Sequence, residues 1–264
     1  MRRSIIFNNM DFNEIHKQIE ASFEKGPGDL PVKYRDKVVK GILVPEDNYL
    51  ISGSIAAWAW KEIAESKFPE FYVIIGGCEG DKVYLSLEDF ETPLGTVSNV
   101  QLKSTNEKIQ VDEEKHTEEK SIEMQLPFLQ FVSKDKLDKL KILPLLVGKG
   151  CSYETLESVA KAVKSIQKEF VVVVGSDMTK HGEKFEFNQF RYGIEQEINN
   201  LDMKSLEFIQ NLDVTGLLEH LGKTNLSNGK GVCLLLELIE ENGRLLDYQS
   251  YGSEDISTYA SLVF

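Results

Sequence analysis

The chain has 264 residues, of which 41% are hydrophobic and 28% charged, and its formal net charge is −13. This size and composition are typical of a soluble globular protein that buries a full core without disulfides or structural metals. The acidic balance is unfavourable for nucleic-acid phosphates and for anionic membrane surfaces, so neither is expected as a partner.

Cysteine usage and short apolar runs indicate a reduced compartment. Cys78, Cys151 and Cys233 are odd in number and far apart, which predicts buried thiols and no disulfide framework or zinc ribbon. The apolar run near the start is too short for a signal peptide, and no stretch reaches the length of a membrane span. The expected location is therefore cytoplasmic.

The pattern of apolar residues predicts alternating helices and strands along the chain. Helical spacing predicts helices over 12–24, 52–65, 121–132, 152–168, 194–211, 214–222 and 229–243. Runs rich in β-branched residues predict strands over 38–45, 71–77, 82–90, 141–148, 170–176, 245–252 and 258–264. Ser52 or Ser54 is the predicted N-cap of the second helix. Residues 96–120 are polar and receive no assignment.

Several of the predicted strands are continuous apolar runs, which is typical of strands that are buried on both faces. Strands that alternate with helices indicate a largely parallel or mixed central sheet flanked by helices. No stretch resembles an interdomain linker, so we predict a single α/β domain over residues 1–264.

Polar side chains follow three of the predicted strands, at the point where each strand ends. These side chains are Glu46, Asp47 and Asn48 after the first strand, Glu79 after the second, and Asp177, Lys180 and His181 after the fourth. The carboxyl ends of parallel strands meet at one edge of a sheet, where ligand sites form, so we expect one crevice there. The ordinary alternative is that strand-to-helix loops are polar simply because they are solvated.

The four histidines are too scattered for a conventional transition-metal site. His16 and His220 are predicted on helix surfaces, His116 lies in a charged run, and only His181 is near the predicted crevice. One histidine cannot supply a two- or three-histidine centre, which argues against zinc and iron. Glu123 begins an apolar helix, and is interpreted either as a charge favoured by the helix dipole or as a buried carboxylate paired with Lys120.

Several stretches, in this order, resemble the Memo family, also called component B of the AmmeMemoRadiSam gene grouping. They are GPGDLP, SGSIAAWAW, VIIGG, TPLG, EEKSIEMQLPFLQF, ILPLLVG, GSD with the following HG, and GVCLLL. The resemblance covers nearly the whole chain apart from residues 96–111. It implies a fold like that of class III extradiol dioxygenases, whose members hold non-haem iron at strand ends.

The chain departs from this family at the metal-ligand positions. Where the family typically carries histidines, this sequence has Glu46, Glu79, Lys120 and Lys180. The resemblance pairs His181 with a tryptophan position, and Asn225 lies near a cysteine that is a ligand in some members. Asp177 and Glu123 are the family residues at their positions.

These substitutions predict a degenerate, metal-free site. Imidazoles suit iron, copper and zinc, whereas ammonium groups repel cations. We expect a salt-bridged cluster in the space of the metal, made by Glu46, Glu79, Glu123 and Asp177 with Lys120 and Lys180. The leading hypothesis is a non-catalytic binding or scaffold protein for a small molecule or a protein, with no cofactor.

Two enzymatic alternatives stay open. One is a hydrolase- or dioxygenase-like enzyme that uses Mg²⁺ or Mn²⁺ held by Glu46, Glu79 and Asp177, since carboxylates suit hard cations. The other is metal-free acid–base catalysis by Lys180 and His181. The ligand and the oligomeric state are not readable from the sequence.

Overall fold

The computed structural model describes residues 2–3, 6–7, 10–32, 34–100 and 106–264. The strands in these ranges are β1 (Arg2–Arg3), β2 (Gly41–Val44), β3 (Phe71–Cys78), β4 (Val83–Leu85), β5 (Phe90–Thr92), β6 (Gly95–Asn99), β7 (Ile109–Val111), β8 (Lys141–Gly148), β9 (Phe170–Gly175), β10 (Lys180–His181), β11 (Arg244–Tyr251) and β12 (Ile256–Val263). The α-helices are α1 (Phe12–Lys25), α2 (Tyr49–Glu65), α3 (Glu113–Glu118), α4 (Ser121–Val132), α5 (Tyr153–Lys164), α6 (Ile194–Gln210), α7 (Val214–His220) and α8 (Gly229–Leu238). Two short 3-10 helices cover Leu137–Lys139 and Glu183–Phe185.

The centre of the sheet is a run of four parallel strands in the order β8-β3-β9-β2. Antiparallel strands extend it on both sides, because β4 pairs with β8, and β12 pairs with β2, β10 and β11. The sheet is therefore mixed. The predicted α/β class with helices flanking a largely parallel or mixed sheet is confirmed, in agreement with the extradiol dioxygenase-like fold that the resemblance implies.

Side-chain alternation along the strands builds two cores. In β3, Tyr72 and Ile74 join the core covered by α1, α2 and α4, whereas Val73 and Ile75 join the core covered by α5 to α8. Since successive side chains of a strand point to opposite faces, a strand between two helical layers must be apolar at every position. This explains why the central strands read as unbroken apolar runs.

The second helix begins three residues earlier than predicted. Asn48 caps it, and its side-chain oxygen accepts a hydrogen bond from Leu50 N at 2.9 Å. The predicted caps Ser52 and Ser54 lie inside the helix, where Ser52 Oγ donates to Asp47 O at 3.0 Å. The chain therefore passes from β2 to α2 within four residues, and this short loop carries Glu46 and Asp47.

Other boundaries differ where distant residues compete for the backbone. The predicted strand 82–90 forms β4 and β5 with a break between them, where the Glu113 carboxylate accepts from Leu87 N at 2.7 Å and Ser86 Oγ at 2.6 Å. The predicted helix 229–243 ends at Leu238, because the chain turns there toward antiparallel β11. The predicted strand 38–45 is limited to Gly41–Val44. Of the unassigned polar segment, residues 101–105 lie outside the described residues.

His116 and His220 are buried, although His220 was predicted on a helix surface. His116 Nε2 lies 3.0 Å from the carbonyl oxygen of Tyr84, and His220 Nε2 lies 3.2 Å from that of Leu201. Burial lowers the pKa of His116 to about 4. The three cysteines are buried and free, as predicted. Among the described helices, none is both long and apolar enough to cross a membrane.

His116 makes stability sensitive to mild acid. The folded state holds this imidazole neutral, whereas the unfolded chain binds a proton below the ordinary pKa of 6.5. The free energy of unfolding should therefore fall as pH decreases from 6.5 to about 4, by roughly 3 kcal/mol from this group. We expect His116→Gln to flatten this slope in urea titrations, while His16→Gln, at a partly exposed site, should leave it intact. An unchanged slope in His116→Gln would contradict the assignment.

Candidate functional site

A polar crevice of about 370 Å³ lies at the carboxyl ends of the central strands. Its wall combines the loops that follow β2, β3, β8 and β9 with the start of α4. Its charged side chains are Glu46, Asp47, Glu79, Glu118, Glu119, Asp177, Lys120, Lys149 and Lys180. The predicted crevice at this edge is therefore present, and carboxylates outnumber lysines in its wall.

Lys180 lies between two aspartates at the centre of the crevice. Its Nζ is 2.8 Å from Asp177 Oδ2 and 3.2 Å from Asp47 Oδ2. Tyr259 OH donates a further hydrogen bond to Asp47 Oδ2 at 2.9 Å. Burial alone would lower the pKa of Lys180, but the charges and hydrogen bonds of Asp177 and Asp47 outweigh it and raise that pKa. Lys180 is thus held as an ammonium ion.

Glu46 is joined to the same group through its backbone. Its N–H donates to Asp177 Oδ1 at 2.9 Å, while its own Oε2 is buried and has no hydrogen-bond partner in the described part of the chain. Burial, followed by the negative charge of Asp177, raises the pKa of Glu46 to about 8. Near neutral pH, Glu46 is a protonated acid, and the charges that pair with Lys180 reside on Asp177 and Asp47.

The remaining predicted charges lie at the rim. Glu79 has a side chain that is 76% exposed, and it pairs with Lys149 at 2.6 Å. Lys120 is exposed at the start of α4, and over the described ranges it forms no ion pair. The predicted six-residue cluster therefore separates into an inner group at Lys180 and an outer pair at Glu79. Cys78 also lines the crevice, and burial raises the pKa of its thiol, which keeps it protonated.

Glu123 belongs to a different environment from the crevice. It is buried in the first turn of α4, lies 3.5 Å from the backbone N of Ile6, and its charge acts on the buried Arg2. The interpretation of Glu123 as a buried carboxylate is confirmed. Its neighbours include Ile6 and Arg2, and among the described residues it forms no ion pair with the suggested Lys120.

His181 and Asn225 support the loop and do not line the crevice. The His181 ring is buried, stacks on Phe190 with centroids 5.6 Å apart, and accepts from Phe190 N at 3.3 Å. Asn225 accepts from Lys180 N at 3.1 Å and donates to Lys180 O at 2.7 Å. An aromatic packing role for His181 agrees with its match to a tryptophan position.

Ser227 and Tyr259 were not among the predicted site residues, and the specific contact of Asp47 was not predicted. Asp47 was recognised as a strand-end residue, but nothing in the sequence indicates that it meets Lys180. Ser227 Oγ accepts from Asp177 N at 2.8 Å, and Tyr259 reaches Asp47 from β12. Both depend on strands and loops far apart in the chain, so local patterns carry no signal for them.

The metal that the resemblance implies does not fit this group. An ammonium ion already contacts both Asp177 and Asp47, and it would repel a cation placed there. In the described ranges, no three His, Cys, Asp or Glu side chains are grouped so that they could hold one metal ion. Glu46, Glu79 and Asp177, the ligands of the hard-cation hypothesis, accordingly form no such group.

Fold and site together define an α/β protein with a charged crevice at the strand ends of a mixed sheet. A sequence model of the family described as "Memo-like protein" matches residues 6–263. The chain therefore belongs to the Memo-like family.

Individual relatives carry the same family description. A "MEMO1 family protein" of Ignicoccus hospitalis is 31% identical over 84% of this chain and 78% of the relative. One from Methanobrevibacter smithii is 29% identical over 96% and 95% of the two chains, and one from Thermotoga petrophila is 31% identical over 91% and 88%. The similarity thus extends over nearly the full length of the chain.

Removing the Lys180 charge should destabilise the protein. Lys180→Met leaves Asp177, whose side chain is 2% exposed, without its counter-charge. We expect a loss of about 1–3 kcal/mol in the free energy of unfolding at pH 8, reduced from the fully buried case because Lys180 is partly solvated. The loss should shrink at pH 5, where Asp177 takes up a proton more readily.

The matched control is Lys149→Met, which breaks the exposed pair with Glu79. This variant should change the free energy of unfolding by less than about 0.5 kcal/mol. Equal effects of the two substitutions in urea denaturation would show that the Lys180 pair has no special role in stability.

Proposed function

We propose that this Memo-like protein binds a small polar molecule in its strand-end crevice without a divalent metal, and that it is not a metal-dependent enzyme. The observation that carries the proposal is the position of Lys180, between Asp177 Oδ2 at 2.8 Å and Asp47 Oδ2 at 3.2 Å. A permanently attached ammonium supplies the positive charge that the buried carboxylate needs, so no metal ion is required for that purpose.

The geometry gives less support to acid–base catalysis by Lys180 and His181. Lys180 is held protonated by two carboxylates, so it is a poor base near neutral pH. His181 packs against Phe190 and Phe187, and none of these three residues lines the crevice wall. A binding role requires neither group to change its protonation state.

The charges of the crevice indicate which molecules fit. Six carboxyl groups face three lysines, and with Glu46 protonated the wall still carries an excess of negative charge. The inner lysine and Lys149 are already engaged by carboxylates. Neutral or positively charged ligands are therefore favoured over anions. The crevice volume of about 370 Å³ suits a small molecule.

Metal analysis tests the absence of a metal requirement. Protein purified without added metal should contain no stoichiometric iron, copper, zinc or manganese by mass spectrometry. Millimolar Mg²⁺ or Mn²⁺ should leave the Tm of the wild-type protein unchanged, since a ligand stabilises a protein only if it binds the folded state. Stoichiometric metal, or a rise of Tm that saturates with Mn²⁺, would overturn the proposal.

A matched pair of four-carbon probes tests the preferred ligand charge. At physiological salt, 1,4-diaminobutane should raise the Tm, whereas succinate at the same concentration should not. The stabilisation should be weaker in Glu119→Gln, in the crevice wall, and preserved in Glu240→Gln, whose exposed side chain lies at the opposite edge of the sheet. Stronger stabilisation by succinate would contradict this charge preference.

A further inference from the structure

The loop between α7 and α8 runs beside the loop that follows β9 and bonds to its backbone repeatedly. Ser227 accepts from Asp177 N at 2.8 Å and donates its own N–H to Asp177 O at 3.3 Å. Asn228 Nδ2 donates to Gly175 O at 3.0 Å, and its Oδ1 caps α8 at Gly231 N. Residues 225–228 therefore form a clamp, called here the 225–228 clamp, on the segment that carries Asp177 and Lys180.

Asn225 is the member of the 225–228 clamp that contacts Lys180. Its Oδ1 accepts from Lys180 N at 3.1 Å, and its Nδ2 donates to Lys180 O at 2.7 Å. One amide thus satisfies both backbone groups of one residue. An amide offers a donor and an acceptor side by side, whereas a carboxylate lacks the donor and an alkyl side chain lacks both.

The residue before Lys180 is fixed from the other side. Thr179 Oγ1 donates to Asp202 Oδ1 at 2.6 Å, and the second oxygen of this buried carboxylate accepts from Tyr248 OH at 2.8 Å. The Lys180 side chain is 26% exposed, and its Nζ also lies 6.0 Å from the centroid of the Phe185 ring. The position of the Lys180 ammonium depends on the position of the Lys180 backbone, from which the side chain extends.

We propose that Asn225 is a positioning residue, which holds the Lys180 backbone so that the ammonium lies between Asp47 and Asp177. The proposal rests on the function proposed above, in which this ammonium replaces a metal ion. Asn225 contacts the backbone of Lys180 and acts on the crevice only through that lysine. Without Asn225, the segment keeps the contacts of Ser227 and Asn228 and the pairing of β10 with β12, so the fold persists while the ammonium shifts away from its two carboxylates.

The reactivity of the Lys180 amine tests this role directly. We expect Lys180 in Asn225→Ala to be acylated by an N-hydroxysuccinimide acetate reagent about tenfold faster than in the wild type. This is the change expected when the Lys180 ammonium loses a hydrogen bond to a carboxylate. Peptide mass spectrometry resolves each lysine, and Lys149 serves as the reference within the same molecule.

Asn99→Ala is the matched control. Asn99 is also an amide that donates to backbone carbonyls, at 3.0 Å to Ser86 O and 2.6 Å to Glu88 O, and it lies outside the crevice wall. A purely structural role for Asn225 predicts that both variants lower the Tm and neither changes Lys180 reactivity. Equal Lys180 rates in Asn225→Ala and Asn99→Ala would overturn the proposal.

A second variant tests the same role if Asn225→Ala does not fold. Asn225→Asp keeps the acceptor for Lys180 N and removes the donor to Lys180 O, so it should also accelerate acylation of Lys180. Circular dichroism establishes that each variant is folded before labelling. An unchanged Lys180 rate in folded Asn225→Asp, when Asn225→Ala does not fold, would likewise overturn the proposal.

The two proposals fail in different ways. Stoichiometric metal in the wild-type protein overturns the metal-free function whatever Asn225 does. A metal-free wild type with unchanged Lys180 reactivity in the Asn225 variants overturns only the positioning role.

Discussion

A carboxylate buried at the end of a parallel strand needs a counter-charge. In this crevice the buried carboxylate is Asp177, and the neighbouring charged groups are arranged around it. Its side chain is 2% exposed, and Lys180, three residues along, supplies the ammonium. Burial, followed by the negative charge of Asp177, raises the pKa of Glu46 to about 8, so Glu46 holds a proton near neutral pH. The position of the Lys180 ammonium and part of the pKa shift of Glu46 therefore depend on the buried charge of Asp177.

The mixed sheet determines which groups reach that charge. Because β9 lies between β3 and β2 in parallel, the ends of all three strands open on the same crevice. Antiparallel β12 adds Tyr259, whose hydroxyl donates to Asp47, and the loop before α8 adds the 225–228 clamp. Helices cover both faces of the sheet, so backbone groups and charged side chains contact water at the strand ends.

Membership of the Memo-like family accounts for the fold of the chain, but the chemistry of the crevice depends on its particular side chains. Fold alone does not define a reaction, because unrelated functions share one architecture. At positions where the resemblance implies imidazoles, this chain carries acids and lysines, and Lys180 contacts Asp177 and Asp47 directly. The ammonium ion gives this crevice a fixed positive charge between two carboxylates.

Local contacts were readable from the sequence, and distant ones were not. The pairing of Asp177 with Lys180 spans three residues, and both positions were predicted at the strand end. Asp47 was visible in its loop, but its contact with Lys180 joins residues more than 130 positions apart. The break at residues 86–89 was missed for the same reason, since the carboxylate that causes it belongs to Glu113. The charged neighbours of His116 give no sign in the sequence that it is buried against β4 and β5.

The sequence by itself determined the α/β class, the order of the elements and the edge of the sheet at which polar groups gather, because apolar periodicity and strand ends are local properties. Only the tertiary structure decided that Lys180 joins Asp47 and Asp177, that Glu79 stays at the rim with Lys149, and that Glu123 faces another environment. Charge pairing falls off with the distance between atoms, and that distance is set by how the strands pack, not by their spacing along the chain.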